Sequence, residues 1–131
     1  DYLHPSATGK AILSQLSPER TAEIVDTHGL PAKTENTITD REVLFEELAE
    51  TRERGYSYND EEEIEGLRAV GAPIRDRDGT VLGALSVSGP TSRMKGTQFN
   101  ETIPELVTST ANVIEVNINM TDRSSDAPNL G

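Results

Sequence analysis

EGLRAVGAPIRDRDGTVLGALSVSGP, residues Glu65 to Pro90, decides the fold. From Glu65 to Arg75, and again from Thr80 to Gly89, the residues alternate in the manner of strands. Between them Asp76-Arg77-Asp78-Gly79 is turn chemistry, with a Gly able to take the left-handed conformation of a bulged hairpin. On the second strand Leu82, Ala84, Ser86 and Ser88 share one face, while Val81, Gly83, Leu85 and Val87 share the other. Opposed residues of an antiparallel pair point the same way. A hairpin centred between Arg77 and Asp78 therefore sets Ala69 opposite Ser86 and Leu67 opposite Ser88. A slip of one residue would set Val70 opposite Ser86 instead. The expected face carries small residues (Ala69, Gly71, Ala84), two hydroxyls and one apolar wall. Small side chains leave volume and hydroxyls orient a polar ligand, which is the make-up of a small-molecule pocket. The plainer reading leaves Ser86 and Ser88 on the solvent side of a half-exposed sheet, with Val81, Leu85 and Val87 as the core. The pocket requires a helix over the serine face.

Upstream, Ala7, Ala11, Ile12 and Leu16 suit one face of a short helix from Ser6 to Leu16, which supplies that lid. Ser17-Pro18-Glu19 reads as N-cap, first-turn Pro and dipole-matched acid of a second helix ending near His28-Gly29. Thr39-Asp40-Arg41-Glu42 has the form of a capping box closed by the Thr39 hydroxyl. Its helix turns Leu44, Leu48 and Phe45 inward and stops at Gly55. Tyr56 to Asn59 is a short extended segment, and the acid run Asp60 to Glu63 reads as a solvated turn. Downstream, Thr97 to Met120 is helical by pattern, although Val113 to Met120 also alternates like a strand. The expected organisation is one domain over residues 1–122 and a loose tail over 123–131.

Composition bounds what this domain does. The chain has 131 residues, 12 Lys plus Arg and 23 Asp plus Glu, for a net charge of −11. Such a chain is a poor candidate for gripping a phosphate backbone or an anionic membrane by itself. The excess carboxylate resembles the surface of proteins from a high-salt cytoplasm; an ordinary acidic domain, or part of a protein whose basic part lies elsewhere, is the alternative. There is no Cys, which excludes disulfides, thiolate metal sites and cysteine nucleophiles. No apolar run approaches the ~20 residues of a membrane span, and no basic-then-apolar leader is visible. A cytoplasmic domain with no membrane contact is the expectation.

The enzyme signals fail one by one. Gly9-Lys10 lacks a phosphate loop around it, because His4 stands in place of the first Gly and Ala11 in place of Ser or Thr. Ser86 and Ser88 lack the flanking glycines of a nucleophile elbow. His28 suits a helix end better than a general base. The run Asp60 to Glu63 has no calcium-loop spacing, so no metal and no cofactor is expected. Arg68 lies on the face opposite Ser86, where an ion pair with the acid run or an interface role suits it better than catalysis.

SATGKAIL (Ser6 to Leu13), NTITD (Asn36 to Asp40), RERGYSYNDEE (Arg52 to Glu62), the hairpin stretch and Ser92-Arg93 occur in this order. Together they resemble the C-terminal effector-binding domain of IclR-type transcription regulators over residues 3–120. The resemblance implies an α+β fold of the GAF/profilin-like kind, an antiparallel sheet with packed helices that binds a small metabolite, here an organic acid. It also implies assembly as dimer or tetramer, and DNA binding only through an N-terminal winged helix-turn-helix absent from this chain. The strands that normally open the domain are absent as well, which predicts an unpaired sheet edge. Carried over, the family's pocket falls on Ala7, Thr8 and Gly9 at a helix start, on Asn59, Leu67 and Ala69, and on Ser86 and Ser88. The helix-start amides would cradle a carboxylate, the serines would donate hydrogen bonds and Leu67 would wall the site. Asn59 stands where members that bind small keto acids can have Asp, so the ligand can differ there. Beside metabolite sensing stand a dimerisation module with a vestigial pocket and a small hydrolase or isomerase.

Overall fold

Ser57–Asp60 (β1), Leu67–Arg75 (β2) and Val81–Pro90 (β3) form an antiparallel sheet of order β1-β2-β3 in the computed structural model. The structure describes residues 2–126, the last five of them as backbone only. Four helices complete the chain: α1 (Ala7–Gln15), α2 (Pro18–His28), α3 (Arg41–Arg54) and α4 (Ile103–Asp126), the last entered through a π-helical turn at Gln98–Thr102.

The hairpin corrects the expected register. Ala69 lies opposite Ser88, Gly71 opposite Ser86 and Leu67 opposite Pro90. The cause is local. Asp76 Oδ1 accepts the N–H groups of Asp78 and Thr80, Gly79 takes φ 85°, and the register shifts between Ile74 and Arg75, leaving Leu82 as the extra residue. The displacement is two residues, so the parity of the faces survives. Ser86 and Ser88 share a face with Ala69 and Gly71 as expected, with each serine moved one step along β2.

The two faces carry different helices. Val70 and Ala72 bury against Phe99, Val107 and Ala111 of the C-terminal helical segment, with Leu85 and Val87 half-buried beside them. On the other face sits α1, beyond which Leu13, Val25, Leu44 and Leu48 form a second core joining α1, α2 and α3. Deleting a side chain such as Leu44, which is fully buried, costs about 2–5 kcal/mol. Phe45 is half-buried under Arg41, while Leu44 and Leu48 point inward as expected.

Two further expectations change. The N-cap of α3 is Asp40, whose carboxylate accepts the N–H groups of Glu42 and Val43, so Thr39 lies outside the helix. Residues 113–120 are helical throughout: Val107 and Ala111 anchor α4 on the sheet, and an anchored helix propagates one bond per residue. The backbone of residues 123–126 continues α4, and residues 127–131 of the expected tail lie outside the described residues.

Candidate functional site

Small residues bring α1 down onto the sheet. A Cβ at Gly71 would lie 2.7 Å from the carbonyl oxygen of Ala7, and one at Gly9 only 1.9 Å from that of Leu3. Glycine at both places therefore lets the chain cross over the helix start and lets the helix start rest on β2. Ser57, fully buried, donates its hydroxyl to the Ala7 carbonyl and clamps the contact.

The expected site residues share this face. Asn59, Ala69 and Ser88 form one row across the three strands, and Ser57, Gly71 and Ser86 form the next. Neighbouring strands lie about 4.8 Å apart, so each row spans roughly 10 Å. Ala7, Asn59 and Ala69 are buried, Leu67 and Thr8 are half-buried, and Ser86 and Ser88 are exposed. β3 has β2 as its one strand neighbour among the described residues, which leaves the serines on an open edge.

The donors are specific. Ser6 caps α1 by accepting the N–H of Gly9 at 3.0 Å. Gly9 thus gives its amide to the cap. The amides of Ala7 and Thr8 have no protein acceptor among the described residues. Asn59 Oδ1 accepts the N–H of Glu62 at 2.9 Å. A backbone N–H requires an acceptor, so the amide orientation is settled and Nδ2 is the end left to donate.

The acid run is where the sequence reading failed. Glu62 is not solvated: its carboxylate takes the ammonium of Lys10 at 2.5 Å, with side-chain exposures of 9% and 1%. Lys10 also donates to the carbonyl of Tyr58, and Glu62 Oε2 accepts the N–H of Asp60. These additional hydrogen bonds offset the desolvation of a buried pair. Lys10 and Glu62 thereby lock α1, which carries the amides, to the turn that orients Asn59. The sequence did hold a signal. Lys10 lies on the stripe of Ala7, Ala11 and Ser14 that packs inward, and a cation there requires a buried anion. Ser57 was missed too, since a lone serine in a short strand carries no pattern.

Arg68 behaves as read from its face. It donates to Asp60 at 2.8 Å and to the Met94 carbonyl, and its guanidinium lies over Phe99. Among the described residues no cluster of three or more His, Asp or Glu is placed to hold a metal, and no helix is long and apolar enough to cross a membrane.

Residues 2–116 match the family described as bacterial transcriptional regulator IclR C-terminal. The chain is 41% identical over 116 residues to a probable HTH-type transcriptional regulator ArcR of Halobacterium salinarum, covering 88% of this chain and 44% of that protein. It is 42% identical over 99 residues to the transcriptional repressor IclR of Escherichia coli, covering 76% of this chain and 36% of the repressor. Among solved structures, Thermotoga maritima IclR superposes with a TM-score of 0.82 at 33% identity, covering 88% of this chain and 46% of that one. The inducer-binding domain of an Acinetobacter PobR double mutant, in complex with 3-hydroxybenzoic acid, gives 0.82 at 30% identity, covering 90% and 68%. The chain thus spans less than half the length of the curated relatives it matches. These relatives are transcription regulators and not enzymes. On the match across residues 2–116 and on the shared fold, the chain belongs to the IclR family of transcription regulators, as its C-terminal regulatory domain.

Proposed function

We propose that this domain senses a small organic acid and passes that signal to DNA binding by an N-terminal winged helix-turn-helix of the parent protein, in the cytoplasm. The observation that carries the reading is the gathering of donors on one sheet face: the Ala7 and Thr8 amides, Asn59 Nδ2, and the hydroxyls of Ser86 and Ser88, beside the small side chain of Ala69. Leu67 walls the same face. A carboxylate is all acceptor, and this face offers donors. PobR's inducer-binding domain was solved with an aromatic acid, which supports the class of ligand. The net charge of −11 opposes an anion, so local donors must hold it, and molar salt shortens the repulsion to about 3 Å. That fits the high-salt reading, as does the Halobacterium relative. A thermal-shift screen of short mono- and dicarboxylates at molar and low salt tests it. Stabilisation that disappears in Ser86→Ala or Ser88→Ala is expected; no shift with any acid would sink the proposal.

A second reading, self-association, rests on α4. Leu106, Val113, Val116 and Met120 are all more than half exposed and recur at intervals of seven, three and four residues. From Leu106 to Thr121 the helix carries one charge, Glu115, which is paired with Arg75. A neutral stripe is where two copies of an acidic chain meet with least repulsion. Val113→Glu should dissociate a dimer in light scattering; an unchanged mass would remove α4 from the interface.

A further inference from the structure

A cavity lies away from the sheet face. It has a volume of about 260 Å³ and sits between the N-terminal segment and α2, with Leu13, Ile24 and Val25 on its apolar side. His4, Arg20 and His28 supply its polar side. Leu13 leaves α1 roughly a third of a turn from the stripe of Ala7, Lys10, Ala11 and Ser14, so this cavity and the donor face lie on different sides of the same helix.

His4 is the unusual wall. It is 3% exposed, and its Nε2 lies 2.9 Å from the carbonyl of Pro31. A carbonyl only accepts, so Nε2 carries the proton and Nδ1 is the acceptor of the neutral ring. Nδ1 has no protein partner among the described residues. Nδ1 is open to a hydrogen bond from whatever occupies the cavity. Arg20 and His28 stand eight residues apart on α2, a little over two turns or about 12 Å, and Arg20's partner Glu23 is an exposed side chain, the kind of ion pair that holds an arginine weakly. Cationic and donor groups thus stand beside an aliphatic floor in a chain that is otherwise strongly acidic.

We infer that this cavity is a second small-molecule site, for an apolar monocarboxylate with a short branched or aromatic body. The body lies on Leu13, Ile24 and Val25, and the carboxylate meets Arg20. His4 Nδ1 favours a body that also carries a hydroxyl. The volume is at the small end of ligand pockets, which excludes long-chain acids. This inference does not depend on the donor face between α1 and the sheet, and the two sites can be emptied separately.

The test is a titration of the 131-residue chain followed by amide chemical shifts, with benzoate, 3-hydroxybenzoate and, as the uncharged analogue, benzyl alcohol. Benzoate should move the amides of Ile24, His28 and Leu30. Arg20→Gln, an exposed change that leaves the core intact, should weaken it about tenfold, as expected for a lost hydrogen bond to a charged group. Ser86→Ala should leave this binding unchanged, and Ile24→Trp should fill the cavity and abolish it. The inference is overturned if benzyl alcohol binds as tightly as benzoate, if Arg20→Gln has no effect, if shifts are confined to Ala7, Asn59 and Ser88, or if no probe binds at millimolar concentration. Because the donor face is tested by the serine variants, failure here leaves that reading separately decidable.

Discussion

The side-chain oxygen of Asn59 accepts the backbone N–H of Glu62 at 2.9 Å, and that bond fixes which end of the amide faces the site. Glu62 is held in turn by Lys10, so the polarity of one site residue is set by a buried ion pair reaching back to α1. A donor is presented where an aspartate would present an acceptor.

Asn59→Asp keeps an acceptor for Glu62 and turns the free end from donor to anion. Calorimetric binding of an acid identified in the thermal screen should weaken tenfold or more, since hydrogen bonds to charged groups contribute about 1.5–3 kcal/mol. Equal or tighter binding by the aspartate variant would mean that the acid does not touch Asn59.

Lys10→Met strands the Glu62 carboxylate in a nearly closed environment. Breaking a buried pair from one side costs about 3–5 kcal/mol, whereas replacing both partners with apolar residues is often close to neutral. Urea unfolding should therefore show a large loss for Lys10→Met and substantial recovery in Lys10→Met/Glu62→Leu. A double variant no more stable than the single one would show that the pair is not what costs the energy.

Gly71→Ala sets a methyl against the Ala7 backbone and the Ser57 hydroxyl at under 3 Å. Overpacking of this kind costs about 1–3 kcal/mol, and here it lifts the helix start from the sheet, so acid binding should fall along with the melting temperature. Gly83→Ala is the control, because nothing lies within 4 Å of the added carbon. Similar effects from both would point to strand flexibility as the cause and away from the α1 contact.

Burial, a hydrogen bond with Tyr56 and its charge push the Tyr58 hydroxyl up to about 12 from its ordinary 10, against a smaller opposing effect of Arg54. The folded state therefore holds this proton more tightly than the unfolded chain does. The associated stability is intact below pH 10 and is lost as pH rises toward 12. An ultraviolet difference titration should show one of the three tyrosines ionising late, and Tyr58→Phe should remove that phase. Three tyrosines titrating together near pH 10 would contradict it.

The hairpin was legible because alternation, turn chemistry and the parity of faces are all local: Ser86, Ser88, Ala69 and Gly71 share a face whatever the loop length. Helix starts at Ser6 and Ser17 were legible for the same reason, since a cap is satisfied within three residues. The register was not, because it depends on how the Asp76 carboxylate folds the turn and where the extra residue falls. Nor was the buried pair, whose members are 52 residues apart. Sequence by itself thus determined the elements, the donor-rich face and, through the order of its motifs, the family. Only the tertiary structure decided that Glu62 is inside and not in water, and that Asn59 keeps its nitrogen as the free end of its amide. Each of those depends on which distant group occupies the neighbouring space, and burial makes leaving that group unpaired too costly.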